Sequence, residues 1–381
     1  MFEWEGARLA QRLQSRRAAP VQLVIAVSLL VALGVVMALS TTMAQAPSLL
    51  GNTKFLKQMA WVFLSLAALG TVSFVPVAWL RRATWPLVAA ALATLIVVLF
   101  VGTTVNGATR WLRFQGVGFQ PSELAKLALV LGLARWLGED DRRTRAFFTG
   151  YLPALLLIGV AAGLILVEPD FGTACLLGAM GMVMMFIAGV RLTYLLPTVL
   201  AALPVLWLLV ARSPYRMRRM LAFMDPWQYP DSIGFHVIQS LIALGSGGTY
   251  GVGLGESQQK MHFLYQADSD FIFAIIGEEL GYLGALLVVG LFVLLIWQLF
   301  RVAARARDRF GFLAACGVAV WLGFQALIHV GVVSQALPTK GIPLPFISYG
   351  GSSLFFSMVA IGVVVSIARD SLGGGKGGEC P

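Results

Sequence analysis

The sequence predicts an all-α polytopic membrane protein with about ten transmembrane helices, both termini in the cytoplasm and one long extracytoplasmic loop. Of its 381 residues, 58% are hydrophobic and 12% are charged, against roughly 45–50% and 25% in soluble globular domains. A soluble domain of this size needs far more polar surface to cover its core. Apolar runs of bilayer-spanning length recur along the whole chain. These observations exclude a water-soluble enzyme.

Ten apolar runs approach the length of about 20 residues that crosses a bilayer. No composition shift separates soluble domains, so 21–369 is predicted to be one transmembrane domain between a basic N-terminal segment, 1–20, and a tail, 370–381. The predicted spans are 21–43, 60–80, 85–102, 121–138, 151–167, 171–189, 192–211, 270–299, 311–334 and 351–368.

Lysine and arginine orient these spans, because cytoplasmic loops carry an excess of both. With the N-terminus inside, the inner segments hold seventeen of the 28 basic residues and the short outer loops hold five. The long outer loop, about 212–269, holds another five, but loops of this length weigh little in the rule. The net charge of +10 therefore comes from basic residues that orient the spans in the membrane. These residues do not form a stripe of the kind that binds nucleic acid.

Unusual polar turns collect on the outer side, which predicts an outward-facing site. They lie at 107–112, 120–126, 168–173, 212–269 and 338–353. Glu123 and Lys126 are three residues apart on one helical face, so they either face a functional cavity or form an ion pair that locks two helices. Asp270 either caps the eighth span or, with Ser269 as the cap, is a partly desolvated carboxylate suited to be a general base.

Glu278 and Glu279 follow on the same helix, near mid-membrane, where ionisable groups must face protein or water. Structural and catalytic roles are both open for them. The glycine-rich segments 245–248 and 251–255 lack the Gly-Lys-Ser/Thr ending of a phosphate loop. We expect a tight turn there, where backbone approaches a ligand or the bilayer.

Histidine and cysteine provide no metal site. The residues His236, His262 and His329 are isolated, and the three cysteines show neither metal-ligand spacing nor a disulfide framework. We therefore predict no metal centre from the sequence.

Five longer motifs carry a family resemblance. They are 120–126, 168–173, 253–260, 270–281 and 337–353. In this order, and over nearly the whole chain, they resemble the SEDS family (shape, elongation, division and sporulation). The segments 239–248 and 257–260 are more similar to its FtsW/SpoVE branch than to its RodA branch.

The resemblance implies a peptidoglycan glycosyltransferase that polymerises lipid II at the outer face of the bacterial cytoplasmic (inner) membrane, at the division septum. It implies a class B penicillin-binding protein transpeptidase and other divisome proteins as partners, besides membrane lipid. Two other classes stay open, a lipid II flippase and a non-enzymatic scaffold of the penicillin-binding protein. No inverted repeat, the usual sign of a transporter, is evident.

The resemblance makes Asp270 the general base and places Glu123 and Lys126 in substrate binding. The leaving diphosphate needs cations, for which Lys126 and Arg110 are candidates. The remaining expected site residues are Ser348 and Ser352 for substrate, and Asp170, Glu278 and Glu279 as supporting residues. No nucleotide cofactor is needed, and a divalent cation (Mg²⁺ or Mn²⁺) could bridge the diphosphate to Asp270, although no ligand cluster indicates one.

The sequence departs from the family pattern just before this aspartate. The family usually reads Leu-Pro-Glu-x-His-Thr, whereas residues 264–269 read Leu-Tyr-Gln-Ala-Asp-Ser. This removes an acid and a histidine and adds Asp268. In addition, His329 occupies a position where asparagine is expected. The departures put the local pKa and any metal ligation in question, and leave the expected reaction unchanged.

Overall fold

The computed structural model describes residues 2–43, 52–105, 108–114, 117–140, 142–261, 264 and 266–373. Within them the chain is mostly helical, and each of the ten predicted spans overlaps a helix. The helices are α1 (Phe2–Met43), α2 (Thr53–Phe74), α3 (Val77–Val101), α4 (Pro121–Gly138), α5 (Leu152–Val167), α6 (Phe171–Ile187), α7 (Leu192–Ala211), α8 (Pro214–Met224), α9 (Phe235–Ser246), α10 (Ile272–Ala303), α11 (Arg309–Val333) and α12 (Gly351–Gly373).

Eight helical segments of the described chain are long and apolar enough to cross a membrane. The fold is therefore that of a multi-pass membrane protein, as the sequence predicts. The predicted spans 121–138 and 171–189 fall outside this set, one because of its charged residues and the other because of its length. Helix α6 has only 17 residues, and α4 carries Glu123, Lys126 and Arg135 within 18 residues.

The predicted boundary between the second and third spans is wrong. The predicted span 60–80 runs across a break at Val75 and Pro76, where α2 ends and α3 begins. Proline lacks an amide hydrogen and is readily accepted only at a helix start, so the chain turns there. The adjacent Arg81 and Arg82 lie inside α3 and do not end a helix. A second difference is at the N-terminus, where α1 begins at Phe2 and includes the segment predicted to precede the first span.

A small antiparallel sheet joins α3 to α4 and was not predicted. Its strands are β1 (Thr103–Val105), β2 (Ala108–Phe114) and β3 (Val117–Phe119), paired in that order. Threonine, valine and aromatic residues, which favour strands, make up most of it. The sheet positions Arg110 at the outer end of the helices.

Helices α4, α11 and α12 form the centre of the protein. Fourteen residues of α4 are buried, and α11 and α12 are buried over most of their length. Helix α7 lies at the periphery of the protein, since only 11% of its spanning window is buried. Its apolar side chains therefore face the lipid. The most buried helices therefore bring their outer ends together, and these ends hold the polar turns.

The long outer loop contains the helices α8 and α9, and it packs on a broken α10. Helix α10 is interrupted at Gly281, whose φ is +69°, and the amides of Val252 and Gly253 donate to the carbonyls of Glu278 and Glu279 at 3.0 and 3.1 Å. The glycine-rich turn was expected to approach a ligand or the bilayer. In the structure its amides satisfy the carbonyls that the break exposes, and its residues do not line the cavity; its approach to the bilayer stays a prediction.

The break also bears on the depth at which Glu278 and Glu279 lie in the membrane. The residues after it, 282–303, extend about 33 Å at 1.5 Å per residue, which is enough to span a bilayer alone. Their exposed face carries apolar side chains, whereas every side chain from Ile272 to Glu279 is buried in protein. Glu278 and Glu279 therefore lie near the outer end of the span and not at its middle.

Candidate active site

One large cavity of about 1480 Å³ lies between the outer ends of the helices. The sheet, the first turns of α4, α6 and α12, helix α8, the turn 266–270 and the loop 338–343 all contribute to its lining. These are the polar segments that the sequence places on the outer side. The structure thus brings them to one site.

Asp270 lies on the wall of this cavity, at the end of a turn that precedes α10. Its amide donates to the carbonyl of Gln266 at 3.0 Å, and the N-cap of α10 is Phe271, with no capping side chain. The structure therefore does not give Asp270 the role of a helix cap. Burial raises the pKa of Asp270 to about 6, Arg219 and Arg110 lower it, and Asp268 raises it.

The loop before α12 fixes the position of Asp270. A Cβ on Gly341 would lie 2.6 Å from Oδ2 of Asp270, so only glycine leaves room for the carboxylate. Ser348 Oγ donates to the carbonyl of Ser269 at 2.7 Å and accepts from the amide of Leu344 at 2.8 Å. Ser348 was predicted to bind substrate, but its hydrogen bonds go to the protein, and it acts as a positioning residue.

Lys126 and Glu123 line the cavity floor and form the pair that the spacing predicts. Lys126 Nζ donates to Glu123 Oε1 at 2.8 Å and to Gln325 Oε1 at 3.2 Å, and it lies 5.2 Å from the centroid of the Trp321 ring. Lys126 is 1% exposed. These contacts tie α4 to α11 and favour the structural alternative over direct binding of substrate.

Arg110 and Asp170 hold the sheet against the start of α6. Arg110 Nη2 donates to the carbonyl of Pro169 at 2.6 Å, and Nη1 lies 3.7 Å from Asp170 Oδ2. Asp170 is the N-cap of α6 and accepts from the amide and hydroxyl of Thr173. Asp170 therefore has the supporting role that was predicted. Arg110 directs part of its guanidinium group to protein atoms, which leaves fewer of its donors for a substrate.

Glu168, which the sequence analysis did not select, is a buried acid beside these residues. It is 1% exposed, and neither carboxyl oxygen has a hydrogen-bond partner among the described residues. Burial and the nearby Asp170 raise its pKa to about 8, against the effect of Arg110. Glu168 is therefore mostly protonated at neutral pH and leaves the positive charge of the cavity intact.

Arg216, Arg219 and Lys340 form a cationic wall beside Asp270, and the sequence analysis missed it. Arg216 and Lys340 lie 4.9 and 4.4 Å from the centroid of the Phe171 ring. Arg219 donates to the carbonyl of Thr339 at 3.3 Å. Among the described residues, no carboxylate forms an ion pair with any of the three.

The cationic wall has no ion-pair partner within the described chain, although Asp170 and Asp270 interact with it electrostatically. Burial lowers the pKa of Lys340, and Arg219 and Arg216 lower it too, whereas Cys175 and Asp170 raise it. The sequence signal was the run of arginines in the long outer loop, with Arg216 and Arg219 on one face of α8 at i and i+3. The run by itself gave no indication that Lys340, more than a hundred residues later, completes the wall.

Glu278 and Glu279 have separate structural partners. Glu278 accepts from the hydroxyl of Ser257 and from the amide of Gln258. Glu279 accepts from Lys260 Nζ at 2.7 Å and from Ser40 Oγ at 2.6 Å. The two glutamates hold the long outer loop and α1 against the broken helix, and neither lines the cavity.

Metal ligands do not cluster in the described residues, where no group of three or more His, Cys, Asp or Glu side chains could hold an ion. His329 is buried in α11 with Nδ1 2.8 Å from the carbonyl of Ile342, and His236 lines the cavity. His262 lies outside the described residues. Asp170 and Asp270 both line the cavity, and a divalent cation there stays a prediction of the sequence.

Comparison with known proteins decides the family. The model of the FtsW/RodA/SpoVE family, described as cell cycle protein, matches residues 21–372. The chain belongs to this family. Two similar relatives carry the name "Probable peptidoglycan glycosyltransferase FtsW". One, from Geobacter sp. (strain M18), is 44% identical over 73% of this chain and 76% of its own. The other, from Thioalkalivibrio sulfidiphilus, is 44% identical over 84% and 82%.

Solved structures of the FtsW/RodA/SpoVE family share the fold. A chain in a structure described as "Structural coordination of polymerization and crosslinking by a peptidoglycan synthase complex" has a TM-score of 0.77 and 31% identity, covering 92% of this chain and 97% of that one. The rod shape determining protein RodA of Thermus thermophilus has a TM-score of 0.69 and 31% identity, over 91% and 96%. The predicted family resemblance and the multi-pass helical fold are confirmed.

Proposed function

We propose that this protein is a peptidoglycan glycosyltransferase that joins lipid-linked disaccharide-peptide units at the outer face of the cytoplasmic membrane. Membership of the FtsW/RodA/SpoVE family and the names of its relatives support this function. The observation that carries the mechanism is the position of Asp270 in the cavity, beside the cationic wall.

Asp270 is the proposed general base. A carboxylate with a pKa of about 6 is largely ionised at neutral pH, yet is a stronger base than an ordinary aspartate. It accepts the proton of the C4 hydroxyl of the acceptor sugar. The hydroxyl oxygen then forms a bond to C1 of the donor sugar.

The cationic wall receives the leaving group. As the bond between C1 and the diphosphate oxygen breaks, the electron pair stays on the diphosphate, whose charge increases. Arg216, Arg219 and Lys340 are placed to stabilise that charge, since they line the same cavity as Asp270 and carry no carboxylate partner within the described chain. They take the role that the sequence analysis gave to Lys126, and Arg110 contributes from the sheet.

The setting of the reaction is also part of the proposal. Lipid II as substrate, a class B penicillin-binding protein as partner, other divisome proteins and location at the septum all come from the family resemblance. The similarity to a chain of a peptidoglycan synthase complex supports a partner of this kind. The closer likeness to proteins named FtsW supports a role in cell division.

Purified protein in vesicles with labelled lipid II, alone and with its penicillin-binding partner, tests the function. We expect glycan strands from the wild type and none from Asp270→Asn, at unchanged expression and partner binding. The matched control is Asp231→Asn, which changes an exposed acid of the same outer loop. Lipid transport without polymer would establish a flippase instead. Glycan polymerisation by the penicillin-binding partner in the absence of this protein would establish a scaffold. Full polymerisation by Asp270→Asn would place the base elsewhere.

A further inference from the structure

A second group of hydrogen-bond donors lines the cavity at the start of α12. Gly351, Ser352 and Ser353 form the first turn of this helix and line the cavity; we call them the α12 amide site. The first helical hydrogen bond runs from the amide of Leu354 to the carbonyl of Gly350, at 3.0 Å. The three amides precede this ladder, and amides in that position attract anions.

Two buried hydroxyls distinguish this site from an ordinary helix terminus. Ser352 is 2% exposed and Ser353 is 7% exposed. The Oγ atoms of both are buried without a hydrogen-bond partner among the described residues. Buried hydroxyls without a partner destabilise a protein. Ser352 and Ser353 line the cavity, so a ligand that enters it and meets a rotated serine side chain could accept these hydrogen bonds.

Helix α2 adds further donors. The indole Nε1 of Trp61 lies against Gly351, at 2.1 Å from where a Cβ would be, which explains why this position needs glycine. Lys57 is exposed one turn before Trp61 and lines the cavity, as does Lys54, which pairs with Asp268 at 3.8 Å. Amides, hydroxyls, an indole N–H and ammonium groups are the set that binds phosphate oxygens.

One loop connects the cationic wall to the α12 amide site, and it passes Asp270 between them. The loop that connects α11 to α12 has Lys340 in the wall and Gly341 against the carboxylate of Asp270. The same loop then reaches Tyr349, whose amide donates to the carbonyl of Asp268 at 2.8 Å, two residues before α12 begins. The volume of about 1480 Å³ exceeds the roughly 300–1,000 Å³ of a pocket for one ligand.

We infer that the α12 amide site binds the diphosphate of the acceptor lipid, while the cationic wall binds that of the donor. This inference rests on the proposed function, in which both substrates carry a diphosphate. Only the donor's bond between C1 and the diphosphate breaks, so only that diphosphate gains charge and needs full cations. The acceptor's diphosphate keeps its bond and its charge, for which amides and hydroxyls with two lysines at the edge suffice.

A single-coupling reaction separates the two sites. The donor is lipid II with its C4 hydroxyl blocked, and the acceptor is a phosphonate analogue of lipid II whose bond at C1 cannot break. We expect Ser352→Ala/Ser353→Ala to raise the KM for the acceptor about tenfold or more, with kcat and the KM for the donor changed less than about twofold. Lys57→Gln should act in the same direction. A rise in the KM for the donor instead, or no change in either KM, would overturn the inference.

The matched control is Ser357→Ala, which removes a buried, unpartnered hydroxyl one turn further along α12 and outside the cavity lining. It should change neither KM. Because none of these hydroxyls has a protein partner, each variant should fold as the wild type does, which a thermal unfolding midpoint checks.

Binding of farnesyl diphosphate keeps the inference independent of catalysis. Titration calorimetry should give two sites in the wild type and in Ser357→Ala, and Ser352→Ala/Ser353→Ala should weaken one of the two about tenfold or more. A single site in the wild type, or two sites of unchanged affinity in the double variant, contradicts the inference even if the protein polymerises lipid II. Two sites in a protein that makes no polymer would instead remove the proposed function and leave the second anion site standing.

Discussion

The protonation of Asp270 depends on a few named neighbours. Burial raises the pKa of its carboxyl to about 6, Asp268 raises it too, and Arg219 and Arg110 lower it. Asp268 belongs to the segment in which this chain departs from the family pattern. Its own backbone is fixed by Tyr349 and its side chain faces Lys54 at 3.8 Å. Asp268 and Arg219 therefore influence the base in opposite directions.

The pH dependence of polymerisation should report these neighbours. A base must be deprotonated to act, so kcat/KM should rise with pH through about 6 and level off above it. Asp268→Asn removes a charge that raises the pKa of Asp270, so the acidic limb should move to lower pH. Arg219→Gln removes a charge that lowers it, so the limb should move to higher pH, whatever happens to the rate.

The measurement is a pH–rate profile in vesicles from pH 4.5 to about 9, with Arg218→Gln as the control for loss of an exposed arginine on α8. The control should leave the limb in place. Shifts of the same sign for Asp268→Asn and Arg219→Gln would contradict the assignment of the limb to Asp270.

At the scale of elements, one buried cluster joins the central helices. Lys126 on α4 contacts Glu123 on its own helix and Gln325 and Trp321 on α11. Removing one partner of a buried pair leaves an uncompensated charge, which typically costs about 3–5 kcal/mol. The second buried oxygen of Glu123, Oε2, has no hydrogen-bond partner in the described chain.

We expect Lys126→Met and Glu123→Gln each to lower the thermal unfolding midpoint, and the double variant to recover most of the loss. Polymerisation should follow stability, so the double variant should recover activity as well. Calorimetry of the purified proteins and the polymerisation assay check both. A stable but inactive double variant would support the sequence prediction that Lys126 binds the diphosphate.

The break in α10 is a second feature of this scale. A side chain at Gly281 would place Cβ 2.3 Å from the amide nitrogen of Gly251, and the φ of +69° disfavours any other residue. Gly281→Ala should therefore lower the free energy of unfolding by about 2–4 kcal/mol.

The control for Gly281→Ala is Gly290→Ala on the same helix, where a Cβ has nothing within 4 Å. Alanine there should be neutral or stabilise the helix by about 0.5–1 kcal/mol. Unfolding midpoints in detergent compare the two. Equal stability of both variants would mean that the break does not depend on glycine.

For the whole molecule, the predicted direction of insertion places the cavity on the outer side. Single cysteines in a cysteine-free background test it: one at Ser232, exposed between α8 and α9, and one at Ser371, near the end of α12. A membrane-impermeant maleimide should label the first in intact cells and the second only after permeabilisation. Both should label in permeabilised cells. Reversed labelling would overturn the charge-based orientation and put the site on the wrong leaflet.

The sequence alone predicted the helices that contain the spans, their order and the grouping of the polar turns at one end of them, except for the boundary between α2 and α3. These follow from run length, hydrophobicity and the count of Lys and Arg, which act locally or over short loops. The pairing of Glu123 with Lys126 was also predictable, because both residues lie on one turn of one helix. The family resemblance added Asp270, which no local pattern separates from a helix cap.

Tertiary structure alone decided what surrounds Asp270. The cationic wall joins Arg216 and Arg219 on α8 to Lys340 across more than a hundred residues of sequence. Gly341, which leaves room for the carboxylate, is also distant from Asp270 in the chain. Ser348 was predicted to bind substrate, but the structure makes it a positioning residue. Its hydrogen-bond partners, Ser269 and Leu344, are determined by how the loops pack. Contacts between distant segments depend on how the central helices pack their outer ends together, and hydropathy and charge counts carry no information about that packing.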